Sequence, residues 1–355
     1  MTPKIRIGLI FGGRSAEHEV SLASSASVYK NLDPDKYEVL CILIGKQGLW
    51  RAVASPAEPG KPAASGGAGS FLPWGKRTGD GVLAADVYFP VLHGPNGEDG
   101  TIQGLLEMAD VPYIGCGVAA SAVGLDKALS KSLFRDKGLP QVRFRVLLEE
   151  DWNRDRAAAV RELGEALPYP MFVKPANLGS SVGISKAKDA AGLEAALELA
   201  FRYDRKVVVE EGIRCREFEC SVLGNDAPRA SLPGEVLPAR EFYDYTDKYV
   251  DGKTAFVIPA SISPTLVKAI QEAAIAAFKA IDGAGMARVD FLYEEASGTL
   301  FLNEVNTIPG FTEISMYPKL WDVSGLSFPR LLDELVGLAL ERHARKRRLT
   351  DREPG

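Results

Sequence analysis

Ala287-Arg-Val-Asp-Phe-Leu-Tyr-Glu-Glu-Ala-Ser-Gly-Thr-Leu-Phe-Leu-Asn-Glu-Val-Asn306 has the pattern of a β-hairpin. Two runs, Ala287–Tyr293 and Thr299–Asn306, alternate as strands do, and Ser297-Gly298 between them is turn chemistry. If Asp290 lies opposite Glu304, then Arg288 lies opposite Asn306, and the period of 2 turns all four side chains to one face. Two carboxylates facing each other across a ladder repel. A sheet tolerates them best with a cation between, and an all-oxygen set of Asp, Glu and Asn suits Mg²⁺, which takes a few carboxylates together with phosphate oxygens and water. The plainer alternative is a solvated face whose acids pair with Arg288. For an isolated acidic pair that alternative is the commoner one, and it is the rest of the chain that shifts the balance toward a magnesium phosphate site.

Working outward, 355 residues with 46% hydrophobic and 25% charged content describe an ordinary globular protein, long enough for two or three domains. A net charge of −5 argues against nucleic-acid or membrane-surface binding, since either needs a basic face. Small-molecule chemistry is expected instead. The four cysteines (Cys41, Cys116, Cys215, Cys220) form no Cys-x-x-Cys, and His18, His93 and His343 are the only histidines, which disfavours zinc and a disulfide framework and implies a reducing compartment. Lys4 and Arg6 flank only a short strand-like run, and no stretch approaches about 18 apolar residues, so a cytoplasmic location without membrane association is expected.

Ile5–Phe11, Val39–Ile44 and Val87–Leu92 are β-rich runs separated by helix-compatible or loop segments, the pattern of a parallel α/β unit. Residues 54 to 81 are crowded with Ala, Gly, Pro and Ser and read as a surface excursion. A helix is expected over Leu125–Lys137, with Leu125, Leu129 and Leu133 as its apolar stripe and Gly138 as its C-terminal cap, opening a second α+β unit. That unit would hold strands at Met171–Lys174 and Val207–Glu210, with a helix near Asp189–Phe201 between them. Beyond Glu217 a third region contains a helix over Pro264–Asp282, capped by Ser263, started by Pro264, striped by Leu266, Ile270, Ala273, Ala277 and Ile281, and stopped by Gly283. The charged run Glu341–Arg348 reads as a solvated helix end.

A nucleotide hypothesis comes from the middle unit. Lys174-Pro-Ala-Asn-Leu-Gly-Ser-Ser-Val-Gly-Ile184 follows a short strand with a Gly/Ser loop able to turn backbone N–H groups toward an anion. Alone such a loop is usually a turn, and this one fits neither Gly-x-x-x-x-Gly-Lys-Ser/Thr nor Gly-x-Gly-x-x-Gly. Two features add weight: Lys174 at the strand end, and Val207-Val-Val-Glu-Glu211, which passes from apolar residues into two acids and as an edge could offer backbone groups to adenine and a carboxylate to ribose.

Five segments then carry a resemblance: Gly12-Gly-Arg-Ser-Ala-Glu-His-Glu-Val-Ser21, His93-Gly-Pro-Asn-Gly-Glu-Asp-Gly-Thr-Ile-Gln-Gly104, Lys174–Gly183, Tyr243-Asp-Tyr-Thr-Asp-Lys-Tyr249 and Asn303-Glu-Val-Asn-Thr-Ile-Pro-Gly310. In this order they resemble the D-alanine D-alanine ligases of the ATP-grasp superfamily. The resemblance implies an α/β chain with a three-domain ATP-grasp fold and an N-terminal Rossmann-like parallel sheet. Its divisions would be 1–123 (substrate domain), 124–215 (central), 216–345 (catalytic) and 346–355 (charged tail). It implies ATP-dependent joining of two D-alanines through an acyl phosphate, two Mg²⁺ ions with Mn²⁺ as a substitute, K⁺ as a further candidate ion, and a homodimer.

Residue by residue, the resemblance matches Lys127, Lys174 and Ser181 to the phosphates and Glu210 and Glu217 to the nucleotide, with Glu217 at the ribose. Backbone of Glu211 and Ile213 would face adenine, Phe172 would wall it, and Phe301 belongs to the same set. Asp290, Glu304 and Asn306 match the metal ligands, in agreement with the hairpin. Arg288 and the N–H of Gly310 match the oxyanion donors. Glu17 would hold the first D-alanine's ammonium, with His93 nearby, and Ser315 with Lys248 the second substrate's carboxylate or the transferred phosphoryl group, beside Met316. Ser180, Tyr249 and Glu17 match a hydrogen-bonded latch that closes loops over the substrates. Tyr249 accompanies dipeptide-forming rather than depsipeptide-forming members. Three rival classes rank lower: another ATP-grasp ligase need not keep Glu17 with His93, a non-catalytic binder would have lost a metal ligand or Arg288, and Phe11-Gly-Gly-Arg-Ser lacks a dehydrogenase's glycine spacing.

Overall fold

The computed structural model describes residues 3–61, 85–179, 182–237 and 255–350, which form three sheets in succession along the chain. The first unit contains β1 (Ile5–Gly12), α1 (His18–Asn31), β2 (Tyr37–Ile44), β3 (Trp50–Val53), β4 (Val87–Val91), α2 (Thr101–Met108) and α3 (Val118–Leu125). Its order is β3-β2-β1-β4, with β1 parallel to β2 and β4 and with β3 an antiparallel edge. The almost unbroken apolar run of β1 reflects burial on both faces. Ile7, Leu9 and Phe11 enter one core, and Ile10 joins Ile42, Tyr88, Ile102 and Leu106 in another. The Ala/Gly/Pro-rich stretch opens with a turn closed by the Ala54 N–H on the Lys61 carbonyl (2.9 Å); its remainder lies outside the described residues. Among the described residues no helix is long and apolar enough to cross a membrane.

The second unit runs α4 (Lys127–Asp136), β5 (Phe144–Leu148), α5 (Glu149–Arg154), α6 (Arg156–Ala166), β6 (Met171–Pro175), β7 (Ser185–Ala187), α7 (Ala190–Ala200) and β8 (Lys206–Glu211). The expected strands and the Asp189-capped helix are present. Two expectations change. The helix expected from Leu125 starts after Asp126, whose carboxylate accepts the N–H groups of Ala128 (3.0 Å) and Leu129 (3.1 Å). Its buried face is Lys127, Ala128, Ser130, Lys131 and Phe134, while Leu129 is 51% exposed. α4 packs toward carboxylates on β8 and β14, so its inward residues are largely polar and the leucine stripe points elsewhere. β8 is also no edge: the order is β5-β8-β6-β7, with β8 paired on both sides.

The third unit contains β9 (Arg216–Gly224), β10 (Arg229–Ala230), β11 (Gly234–Leu237), β12 (Ala255–Val257), α8 (Pro264–Ala280), β13 (Gly285–Glu294), β14 (Thr299–Asn306), α9 (Met316–Val323) and α10 (Phe328–Thr350). α8 follows the expectation closely, with Ser263 accepting the Leu266 N–H at 3.2 Å and Ile270, Ala274, Ala277 and Phe278 buried. The antiparallel order is β12-β11-β9-β13-β14. Ala287, Val289 and Phe291 of β13 face α8 with Phe218 and Cys220 of β9. Alternation sends Arg288, Asp290 and Glu219 to the opposite face. The hairpin register is the expected one, Arg288 against Asn306 and Asp290 against Glu304, followed by a β-bulge that leaves Asn303 without a partner residue on β13.

α10 corrects the reading of the charged run as a solvated end. Its first half places Leu331, Leu332, Leu335 and Val336 in the core of the first sheet. Its second half reaches the first unit by charge. Arg342 donates to the carbonyls of Gly115 and of Tyr113 (3.1 Å for the latter) and lies 4.4 Å over the Tyr113 ring, while Lys346 pairs with Glu107. Arg345 pairs with Asp226 of the third unit. Arg342→Met should therefore cost about 2 kcal/mol, the scale of hydrogen bonds from a charged donor with part of a cation–π contact. Urea unfolding reads this as a lower midpoint, and an unchanged midpoint would restore the solvated reading.

Candidate active site

Strand alternation builds a cleft of about 640 Å³ between the second and third sheets. Met171 and Val173 enter the core of the second unit, so Phe172 and Lys174 face the cleft, and Glu210 lies opposite Phe172 on β8. Phe172, Lys174, Glu210, Glu211, Ile213, Glu217, Asp290 and Glu304 all line it. The Lys186 ammonium stands 5.6 Å over the Phe172 ring. At the rim, Glu211 is fixed by Arg143, whose backbone N–H (2.9 Å) and Nε (2.8 Å) donate to its carboxylate. Gly212 lets this segment pass close to β6, since a Cβ there would meet the Pro170 carbonyl at 2.9 Å. Phe301 lines neither this cleft nor the recess beside it.

Deep in the cleft, both oxygens of Glu210 are taken by lysines: Oε2 lies 2.6 Å from Lys174 Nζ and Oε1 2.8 Å from Lys131 Nζ. The Glu210 carboxylate thus holds two cations in place. Lys131, 1% exposed, was not singled out in the sequence, where it reads as the polar side of an amphipathic helix. Burial would raise the Glu210 pKa, but the two ammonium groups overcome it and hold the carboxyl down to about 2. Burial lowers the Lys131 pKa, whereas at Lys174 the charges of Glu210 and Glu304 outweigh burial and raise it. Lys174 Nζ also donates to Asn303 Oδ1 at 3.5 Å. Asn303 is presented by the bulge, which alternation alone does not forecast.

A smaller recess, about 100 Å³, shares Glu219 and Glu304 with the cleft and is lined by Glu17, His93, Lys127, Arg288, Asn306, Gly310, Ser315 and Met316. Lys127 Nζ donates to the Leu178 carbonyl (2.6 Å) and lies 3.8 Å from Glu304 Oε2. Glu17, at the start of α1, is buried, and its Oε2 occupies space where a Cβ on Gly94 would lie 2.5 Å away or one on Gly179 3.1 Å away. The first unit thereby meets the Gly/Ser loop through a carboxylate. His93 Nδ1 is 3.2 Å from the Ile308 carbonyl and Nε2 is 3.1 Å from Ser24 Oγ. Burial opposes its protonation, but Glu98, Glu17 and the Ile308 carbonyl raise its pKa overall. Ser315 Oγ accepts the Thr312 N–H (3.0 Å), and a Cβ on Gly310 would come within 2.7 Å of it.

Between cleft and recess, Arg288 donates through Nε to Asp290 Oδ1 and through Nη2 to Oδ2, both at 2.7 Å, and Asn306 Nδ2 donates to the same Oδ2 at 3.0 Å. The acid–arginine pairing weighed in the sequence is therefore real, yet the face is no solvated one, with the side chains of Arg288 17% and Asp290 13% exposed. Among the described residues no three His, Cys, Asp or Glu side chains gather into a ready metal site. The all-oxygen set Asp290, Glu304 and Asn306 beside a lysine-lined cleft fits Mg²⁺, which binds through one or two carboxylates plus phosphate oxygens and rarely in an all-protein cage. Ser180, Ser181, Lys248 and Tyr249 lie outside the described residues.

A carboxyl that ionises near 4.5 in the unfolded chain and about 2 in the fold adds on the order of 3 kcal/mol of stability. The folded value is depressed, so the contribution is complete above pH 4.5 and is lost as pH falls from 4.5 toward 2. Glu210→Gln should lower stability at neutral pH and flatten the stability curve across that acid window. Urea unfolding at stepped pH measures this, and a wild-type acid slope in the variant would contradict the lysine pairing.

Comparison with known proteins follows the same lines. A family profile described as "D-ala D-ala ligase N-terminus" matches residues 6–116, and one described as "D-ala D-ala ligase C-terminus" matches residues 133–337. The D-alanine–D-alanine ligase of Bacillus cytotoxicus is 48% identical over 98% of both chains, and that of Thermoanaerobacter sp. is 50% identical over 97% of this chain and 98% of the relative. Among solved structures, the D-alanine–D-alanine ligase from Coxiella burnetii superposes with a TM-score of 0.83 at 38% identity, covering 98% of this chain and 97% of that one. The D-Ala:D-Ser ligase VanG from Enterococcus faecalis superposes with a TM-score of 0.83 at 37% identity, covering 95% and 100%. Matched along nearly its whole length and folded as an ATP-grasp protein, this chain belongs to the D-alanine–D-alanine ligase family.

Proposed function

We propose that this chain joins two D-alanine molecules with consumption of ATP, releasing ADP and phosphate. The observation that carries the reading is the meeting of a lysine-lined cleft and an Arg288–Gly310–Ser315 recess along one acidic face formed by Asp290 and Glu304. Lys174, steadied by Glu210, and Lys127 would contact the phosphates, with the backbone of Glu211–Ile213 and the Phe172 ring at adenine and Glu217 at ribose. Asp290, Glu304 and Asn306 would hold two Mg²⁺ ions, which neutralise charge on the transferring phosphoryl oxygens.

A carboxylate is a poor acyl donor, and phosphorylation of the first D-alanine gives it a leaving group. Glu17 would hold that molecule's ammonium, with His93 beside it. The amine of the second D-alanine then attacks the acyl carbon, and phosphate departs with the C–O bond that breaks. Arg288 and the Gly310 N–H would stabilise the tetrahedral oxyanion, fixed in place before charge develops there. Ser315 and Lys248 would hold the second carboxylate, and Ser180, Tyr249 and Glu17 would latch the loops over the acyl phosphate against water. In the same reading the domain divisions fall near 123 and 215, the working state is a cytoplasmic homodimer, and Mn²⁺ and K⁺ are the further ions to try. VanG is a D-Ala:D-Ser ligase, but the relatives of higher identity are D-alanine–D-alanine ligases and favour D-alanine as the second substrate.

Phosphate release with Mg-ATP, compared across D-alanine, D-serine, D-lactate, L-alanine and no amino acid, should require D-alanine and yield the dipeptide mass. Release with no D-alanine dependence would overturn the reading. Arg288→Lys keeps the charge but loses the planar fork, and should lower kcat about 100-fold or more while the protein stays folded; near-normal turnover would remove Arg288 from the oxyanion role.

A further inference from the structure

Glu219 is absent from every role assigned above, yet it shares the acidic face. On β9 it stands directly opposite Asp290, which on its other side stands opposite Glu304. Three carboxylates therefore lie in a row across adjacent strands, roughly 4.8 Å apart in backbone spacing. Like charges opposite one another destabilise a sheet, so a third acid adds a cost that metal binding by Asp290 and Glu304 does not require. Glu219 is 6% exposed, and its Oε2 lies 3.0 Å from Arg288 Nε. Arg288 thus faces two carboxylates, the hydrogen-bonded fork on Asp290, which takes the Nε–H, and Glu219, whose Oε2 meets Nε as a charge contact without a hydrogen bond of its own.

The two grips are not equivalent. Asp290 spends both carboxylate oxygens on Arg288, as well as accepting from Asn306. A divalent cation taking an Asp290 oxygen would compete for those lone pairs and repel the guanidinium a few ångströms away. Arg288 would then lose its fork at the moment its orientation matters. Glu219 lies on the far strand from Glu304, and its buried Oε2, 3.0 Å from Nε and without a hydrogen bond, is placed to accept the Nε–H that Asp290 would give up. Resting on the reading of this face as a metal–nucleotide site, we propose that Glu219 is a positioning residue, the anchor that holds Arg288 in place while Asp290 is released to the metal.

The test uses the full chain and Glu219→Gln, which keeps the shape and removes the charge. With a neutral anchor Arg288 leans harder on Asp290 and competes with the metal. Calorimetry with ADP should then give an affinity in EDTA within about twofold of wild type, while the gain in affinity on adding Mg²⁺ shrinks about tenfold. In steady state kcat should fall with the KM for ATP rising mainly at low Mg²⁺. In an Arg288→Lys background the same substitution should change the Mg²⁺ gain by less than about twofold. Equal loss of ADP affinity with and without Mg²⁺, together with a lower unfolding temperature, would mark a merely structural role and overturn the inference. An unchanged Mg²⁺ gain in a folded variant would overturn it as well. If Glu219→Gln does not fold, Glu219→Asp, which shortens the anchor by one methylene, is read by the same criteria. Wild-type protein that binds no ADP at all would instead overturn the function on which the inference rests.

Discussion

The guanidinium of Arg288 is the charge on which the catalytic sheet depends. Antiparallel pairing aligns Glu219, Asp290 and Glu304 on one face, and pairing alone would leave three carboxylates repelling at partly buried positions. Arg288, one pleat along β13, meets two of them, and Lys127 stands 3.8 Å from the third. The apolar side of the same strands, packed on α8, fixes the register, and a slip of one residue would exchange Asp290 with Val289 between face and core. The hydrophobic core on one face of the sheet therefore sets the position of the charges on the other.

A second electrostatic unit faces the first across the cleft. Two lysines share one carboxylate, so Lys131, Glu210 and Lys174 leave an excess positive charge beneath the cleft floor. Opposed to the acid row, that excess makes a gap polarised from cationic to anionic wall. A bound polyphosphate is drawn to the lysine side, and a divalent cation to the acid side. Lys131 acts without reaching the cleft, since Lys174 but not Lys131 lines it.

The hairpin was legible because its two signals, period-2 alternation and turn residues, depend only on neighbours in sequence. Its register, and hence the convergence of Arg288, Asp290, Glu304 and Asn306, followed from them. The Ser263–Pro264 start of α8 was legible for the same local reason. What escaped depends on partners far away. α4 buries lysines because carboxylates on β8 and β14 wait for them, and no periodicity rule looks for a charged inner face. Glu219 could have been placed by extending the alternation from Glu217. Asn303 could not, because a bulge breaks the count that alternation relies on. The charged end of α10 looked solvated because its partners, Glu107 and Tyr113, lie more than 200 residues earlier.

That last separation bears on the order in which the molecule is made. Ile7, Leu9 and Phe11 are made more than 300 residues before Leu331, Leu332, Leu335 and Val336 of α10, which share their core. The first sheet is therefore left with one apolar flank bare until α10 has been made, and non-local closure of this kind is slow and exposed to aggregation. The first sheet's core is completed only once α10 has been made, so its closure waits on residues of the third unit.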